Sequence, residues 1–180
     1  MEKRFQGHTV DTPLTPRGLE QARTLGRILK VNAPDPAALV YVCSPLHRAQ
    51  HTMQIVLETL GFPNESYTTD PRLIEIDLGA WDGLTADEAK ARFPEAYAAR
   101  QSDKWNVDVP GGGENYASVA RRAISFVMGL KADTFAVSHG AFTRILRGLF
   151  QGLTWQQMSD LDEPQGVIFR VRQSDVVRLG

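Results

Sequence analysis

Two stretches of this sequence predict an α/β fold, a mostly parallel central sheet flanked by helices in three layers, because each repeats the order strand, tight turn, helix. The first begins with Leu39-Val40-Tyr41-Val42-Cys43. This continuous apolar run, with β-branched and aromatic content, is the pattern of a strand covered on both faces. Ser44-Pro45 follows as the expected N-cap and first-turn proline, and Ala49, Met53, Val56 and Leu60 then recur at helical spacing. The second unit begins with Thr134-Phe135-Ala136-Val137-Ser138, passes at once through His139-Gly140, and continues into a helix carrying Ile145, Leu146 and Leu149. At 180 residues and 42% hydrophobic content, residues 1–180 suit a single domain around one sizeable core.

The remaining elements follow in order. Residues 2–9 are polar and read as a loop, with no opening strand. Thr15 is the expected N-cap of the first helix, Pro16 its first residue, and Leu14 and Leu19 a hydrophobic staple. Leu19, Ala22, Leu25 and Leu29 mark its inner face, and the helix should end before Pro34. Between Gly61 and Gly113 the pattern loosens into a long excursion, whose clearest feature is the capping box Thr85-Ala86-Asp87-Glu88. A helix resumes near Asn115, with Tyr116, Val119, Ala123, Phe126, Val127 and Leu130 on one side and Arg121 and Arg122 on the other. Residues 167–171 and 176–179 flank Gln173-Ser174-Asp175 and predict a closing hairpin or a strand at the sheet edge.

Composition excludes several functions. A formal net charge of −1 supplies no field to collect nucleic acid or an anionic membrane. Any bound anion must be held by a local cluster of donors. No run of about 18 apolar residues occurs and the first ten residues lack a signal-peptide core. The single cysteine, Cys43, rules out an internal disulfide framework and suits a reducing compartment. The expectation is a cytoplasmic protein.

In open parallel sheets, ligands sit beyond the carboxyl ends of the strands, where the N–H groups of helix starts point outward. Two places meet that rule. Ser44-Pro45-Leu46-His47-Arg48 sets Arg48 in the first turn of a helix, and Ser138-His139-Gly140 sets a histidine at a strand end with a glycine that permits a close turn. Together they suit one phosphate, for which arginine offers a planar fork of donors. Taken singly, Arg48 reads more readily as a solvated helix residue, and His139 equally as a structural hydrogen-bonder. Glu75, flanked by Ile74 and Ile76, is either a proton donor with a raised pKa or the outward residue of a short strand.

In combination these residues resemble the histidine phosphatase superfamily, with its phosphoglycerate mutase-like fold. Arg4-Phe5-Gln6-Gly7, with Asp11, Pro13, Leu14, Gly18 and Gln21-Ala22, resembles the segment after that family's nucleophile loop. Residues 43–52 resemble its Ser-Pro-Leu-x-Arg-Ala-x-x-Thr motif, and Glu75 with Trp81-Asp82-Gly83 its acid motif. Pro110-Gly111-Gly112-Gly113-Glu114 resembles its Pro-Gly-Gly-Glu-Ser loop, and Val137-Ser138-His139-Gly140 its second histidine motif. The resemblance implies a phosphatase acting through a phosphohistidine. Arg48 would bind the phosphoryl oxygens, His139 and Gly140 would flank them, Glu75 would be acid and then base, and Gln6 and Gly7 would line the substrate mouth. No metal or organic cofactor is implied. The family's nucleophile lies in an Arg-His-Gly segment at the end of a first, central strand, and both are absent from this sequence. On that resemblance the chain is N-terminally truncated, Met1 stands where an internal residue would, and little turnover is expected of these residues alone.

Other histidines do not replace that nucleophile. His8 falls in the mouth loop and reads as rim polarity, while His47 and His51, four apart, read as one polar helix face more readily than as metal ligands. A cysteine phosphatase needs five residues between cysteine and arginine, whereas Cys43 and Arg48 are separated by four. The glycine run 111–113 lacks the lysine and hydroxyl of a P-loop and is expected to be a hinge over the pocket. A non-catalytic phosphate-binding protein remains an alternative, as does a phosphoglycerate mutase, although the excursion after Glu75 is short for the seal a mutase needs. The expected partner is a small phosphorylated metabolite, such as a sugar phosphate, a nucleoside phosphate like α-ribazole phosphate, or a phosphoglycerate. A homodimer is an open alternative, since a second chain would cover sheet strands left bare.

Overall fold

The computed structural model describes residues 4–62 and 67–180; the expectations for Met1, Glu2 and Lys3 lie outside them. Helix α1 (Pro16–Asn32) starts as its sequence requires, with the Thr15 hydroxyl accepting from the Gly18 N–H and Pro16 in the first turn. It packs along α2 (His47–Leu60) at a close crossing where Gly26 faces Thr59, with no room for a side chain. Strand β1 (Val40–Cys43) pairs in parallel with β2 (Tyr67–Thr69) on one side and with β3 (Thr134–Val137) on the other. The three-stranded parallel sheet therefore has the order β2-β1-β3. Its alternating side chains feed two cores. Tyr41, Cys43, Phe135 and Val137 pack with Leu29, Met53, Val56 and Leu57 of α1 and α2. Val42 lies on the opposite face with Val119, Ala123 and Phe126 of α5 (Tyr116–Met128) and Phe142 and Ile145 of α6 (Gly140–Phe150). Helices on both faces of a parallel sheet make the α/β arrangement the two strand-turn-helix units predicted.

Beyond the sheet, the excursion holds α3 (Ala86–Arg92), with the capping box at Thr85 and Glu88, and α4 (Pro94–Ser102). A third core gathers here around Trp81, which packs between Phe5 and Tyr97. After α6 come α7 (Trp155–Asp160), then β4 (Ile168–Arg172) and β5 (Asp175–Leu179). The hairpin forms as expected, but as a separate antiparallel two-stranded sheet. Among the described residues, β3 pairs with a strand on one side only.

Several local expectations need correction. Ser44 does not cap α2: Leu46 is the N-cap residue and makes no side-chain cap bond. The orphan N–H groups of His47 and Arg48 instead donate to the Asp11 carboxylate, at 2.6 and 3.3 Å. Arg122 is not on a solvated face, because Glu114 and two backbone carbonyls draw it inward. Ala136 is exposed, although β3 reads as fully buried, since among the described residues no strand pairs on its far side. The run 111–113 is a fastened turn and not a hinge. Gly113 N–H donates to Val109 O at 3.0 Å, Ala80 N–H donates to Pro110 O at 2.7 Å, and Gly111 and Gly112 take positive φ values of 82° and 86°. Strand β2, α4 and α7 carry no signal that stood out in the sequence. Among the described residues no helix is long and apolar enough to cross a membrane.

Candidate active site

The sheet topology brings Ser44 and His139 together, because Ser44 directly follows Cys43 and His139 lies two residues past Val137, its register partner on the adjacent parallel strand. His139 Nε2 lies 2.7 Å from the hydroxyl of Ser44, which is itself fully buried. Burial, reinforced by the nearby Arg48 charge, pushes the His139 imidazole down to about 3. It is therefore neutral at physiological pH and has one N–H to donate.

Arg48, in the first turn of α2, is mostly buried, and its guanidinium faces loop 7–11. Its Nη1 donates to Val10 O at 2.8 Å and reaches Asp11 Oδ1 at 3.3 Å, while Nη2 donates to Gly7 O at 2.9 Å. Asp11 thus serves α2 twice, as a cap and as the counter-ion of Arg48. Burial works to raise the Asp11 carboxyl, but the His47 and Arg48 N–H bonds and the Arg48 charge outweigh it, and the net shift is downward. Loop 7–11 is held from its other side by Asp82 of the Trp81-Asp82-Gly83 run. That carboxylate accepts from the N–H groups of Gly7 at 2.7 Å, Thr9 at 3.0 Å and Val10 at 3.2 Å, and from the Thr9 hydroxyl. Gly7 is required by space, since a Cβ there would lie 2.9 Å from Ile76 O. Gln6 is exposed and donates to Thr12 Oγ1 at 3.2 Å.

Glu75 is 9% exposed and belongs to no strand, which removes the outward-residue reading. Burial raises its carboxyl pKa; the Ile76 N–H, 2.8 Å from Oε1, works against this, the neighbouring Glu163 carboxylate adds to it, and the Ala141 N–H and Arg48 charge oppose it. The net direction is upward, the shift an acid catalyst needs. Its backbone is braced by Arg122, which donates to Ile74 O at 2.6 Å and Arg72 O at 2.8 Å and pairs with Glu114 at 3.1 Å. Glu114 in turn accepts from Asp77 N–H at 3.0 Å and donates its own N–H to Asp77 O at 2.8 Å. The Pro-Gly-Gly-Gly-Glu segment therefore supports the segment that carries the acid.

Arg48, Glu75, His139 and Gly140 are thus gathered at the carboxyl ends of β1 and β3, with Gly7 in contact with Arg48. Gln6 lies on the same loop, but its side chain is turned to Thr12. His8 stands outside the cluster, 3.7 Å from Asp77. His47 and His51 line an open cleft of about 360 Å³ with Pro13, Leu14, Gln50 and Gln54. Cys43 is completely buried in the core between α1, α2 and the sheet, which pushes its thiol up to about 11 and leaves it no nucleophilic role. Three participants had no advance signal: Ser44 as the partner of His139, Asp11 as cap and counter-ion, and Glu163, whose carboxylate lies against Gly140 and pairs with Arg144 at 3.1 Å.

Comparison with known proteins gives the chain's relatives. The chain is 30% identical over 175 residues to a 2,3-bisphosphoglycerate-dependent phosphoglycerate mutase of Beijerinckia indica, covering 93% of this chain and 84% of the relative. It is 36% identical over 147 residues to an adenosylcobalamin/alpha-ribazole phosphatase of Salmonella typhimurium, covering 79% and 68%. The alpha-ribazole phosphatase structure from Shigella flexneri superposes with a TM-score of 0.76 at 26% identity, over 96% of this chain and 85% of that one. The sequence pattern of the histidine phosphatase superfamily (branch 1) matches residues 1–175. On fold and sequence together, this chain belongs to the histidine phosphatase superfamily.

Proposed function

We propose that the protein is a phosphomonoester hydrolase that works through a phosphohistidine, the nucleophile being supplied by an Arg-His-Gly segment these 180 residues do not contain. The observation that carries the reading is the meeting of a neutral histidine, an arginine and a buried carboxyl of raised pKa at two adjacent strand ends. In the first step the histidine attacks phosphorus, the bond from phosphorus to the leaving oxygen breaks, and Glu75 gives that oxygen its proton. In the second, the Glu75 carboxylate takes a proton from water as the water displaces the histidine from phosphorus. Arg48 exchanges its bonds to Gly7 O and Val10 O for phosphoryl oxygens, and His139 leaves its contact with Ser44 to donate an N–H to the same group. Gly140 opens α6 toward it, and Gln6 and Gly7 border the mouth. The setting proposed is cytoplasmic and the substrate a small phosphorylated metabolite.

A second reading, phosphoglycerate mutase, is favoured by the Beijerinckia relative. The short excursion after Glu75 favours the hydrolase, since returning the phosphoryl group to a hydroxyl of glycerate must exclude water. The 180-residue chain is expected to hydrolyse p-nitrophenyl phosphate little or not at all. Fused in frame behind a strand ending in Arg-His-Gly-Glu, it should gain turnover and trap a phosphohistidine. In that protein Glu75→Gln should slow turnover about 100-fold with poor leaving groups, and Arg48→Ala should reduce kcat/KM by a similar factor. Turnover by the unextended chain with a trapped phosphohistidine would sink the reading, as would an inert fusion.

A further inference from the structure

Two arginines one turn apart on α6 fix a carboxylate that the proposed hydrolysis does not use. Arg147, whose side chain is 7% exposed, holds Asp162 through its carboxylate at 3.1 Å and through its backbone carbonyl. Arg144 pairs with the Glu163 carboxylate at 3.1 Å and is itself steadied by the Tyr116 hydroxyl at 3.0 Å. Pro164 follows and restricts the Glu163 backbone to extended conformations. Residue 163 is thus anchored on both sides. Its carboxylate lies over the first turn of α6, where a Cβ on Gly140 would be 2.8 Å from Glu163 Oε2.

The second carboxyl at that turn is Glu75, which meets the N–H of the next α6 residue, Ala141. Its segment is drawn onto the same end of the helix. The Ser138 hydroxyl donates to Leu73 O at 2.7 Å, and Arg122, which holds Ile74 O, lies over the Phe142 ring at 5.5 Å. Two carboxyls therefore share one helix start, whose partial positive charge is about half a unit. Glu163, paired with Arg144 and 36% exposed, carries its negative charge there, whereas Glu75 is buried and is the one to keep its proton. Other charges also act on the pair. Arg48 of α2 favours the Glu75 carboxylate, and Lys104, which follows α4, feels the Glu163 charge. His139, the N-cap residue of α6, has a pKa of about 3 and is neutral where Glu75 must act.

We propose that Glu163 is a positioning residue for the acid: its carboxylate, held by Arg144 over the first turn of α6, keeps the proton on Glu75 until the leaving oxygen takes it. The inference rests on reading Glu75 as that acid. Once the leaving group has gone, the same repulsion makes the Glu75 carboxylate a readier acceptor of the proton from water, so one fixed charge serves both steps. Because Glu163 is partly exposed, salt weakens its action.

A pH titration of the Glu75 side-chain carboxyl by carbon-detected NMR tests this in the 180-residue chain, with no turnover needed. Glu163→Gln keeps the length of the side chain and an oxygen for Arg144 but removes the charge, and the Glu75 midpoint should fall. Glu163→Ala, which also uncovers Gly140, should lower it no less. High salt should move the wild-type midpoint toward that of Glu163→Gln and move the variant less, a comparison that does not depend on how a variant folds. An unchanged midpoint in Glu163→Gln overturns the inference and leaves Glu75 standing as the acid. So does a midpoint that falls in Glu163→Ala alone, since cover and not charge would then be what matters. In the fusion that restores the nucleophile, Glu163→Gln should cost about threefold in kcat/KM on the alkaline limb of the pH profile and nothing below it. An equal loss at every pH overturns the inference. If Glu75→Gln leaves the fusion's kcat/KM untouched, the acid reading fails and takes this one with it.

Discussion

His139 illustrates how a residue's surroundings set its chemistry. Imidazole ordinarily titrates near 6.5, but burial and the Arg48 charge bring His139 down to about 3. Between those two values the unfolded chain takes up a proton that the folded chain refuses. The contribution of His139 to stability is therefore complete above pH 6.5 and is lost as pH falls toward 3, amounting at most to about 5 kcal/mol. Urea unfolding between pH 7 and pH 4 should show the native protein losing more stability than His139→Gln, whose side chain does not titrate. Parallel pH profiles would mean that the imidazole is not desolvated. The same neutrality suits His139 to donate its proton to a phosphoryl oxygen without giving it away. The histidine, Arg48 and Glu75 were legible in the sequence because each sits at a strand end or in an apolar context that singles it out. Ser44 and Glu163 were not, since a partner 95 residues away, as Ser44 is from His139, leaves no local trace.

At the scale of elements, the start of α2 depends on a residue far outside it. Serine and proline at 44 and 45 resemble a local cap, yet Ser44 is committed to His139, and Asp11 supplies the oxygens for the first helical N–H groups. A carboxylate at a helix N-terminus satisfies orphan donors and meets the positive end of the helix dipole. Asp11→Ala should therefore destabilise the fold by about 1–2 kcal/mol, read as a lower urea midpoint. The same change should loosen loop 7–11 against Arg48, read as faster amide exchange at residues 7–10. Asp11→Asn, which keeps an acceptor, should recover most of the stability. If Asp11→Ala is neutral in both measurements, the cap assignment fails. Helices α1, α3, α5 and α6 were readable because their caps or apolar faces are local. By contrast, the three-residue β2 and six-residue α7 are too short to establish a period, and the tertiary bond from Asp11 overrides the apparent local signal at Ser44.

For the whole molecule, the division of strands into β2-β1-β3 and β4-β5 leaves one edge with a definite consequence. Val40 N–H donates to Asp133 O and Ser44 N–H to Val137 O, both at 2.9 Å, so these carbonyls of β3 and the strand's leading connection turn toward β1. In a parallel ladder alternate residues bond to opposite sides, which turns the N–H and C=O of Ala136 away from β1, and Ala136 is exposed. Among the described residues, no strand covers that side of β3. An open edge beside an apolar core is a template for another strand. The 180-residue chain should accordingly show a mass that rises with concentration in light scattering. Ala136→Pro removes an N–H that β1 does not use while blocking any partner on the far side, and should hold the protein at the monomer mass with its thermal midpoint little changed. A wild-type mass that stays monomeric at all concentrations would mean that the edge is covered in solution. Association that persists in Ala136→Pro would place the contact on another surface, since the substitution denies a new strand its central hydrogen bond.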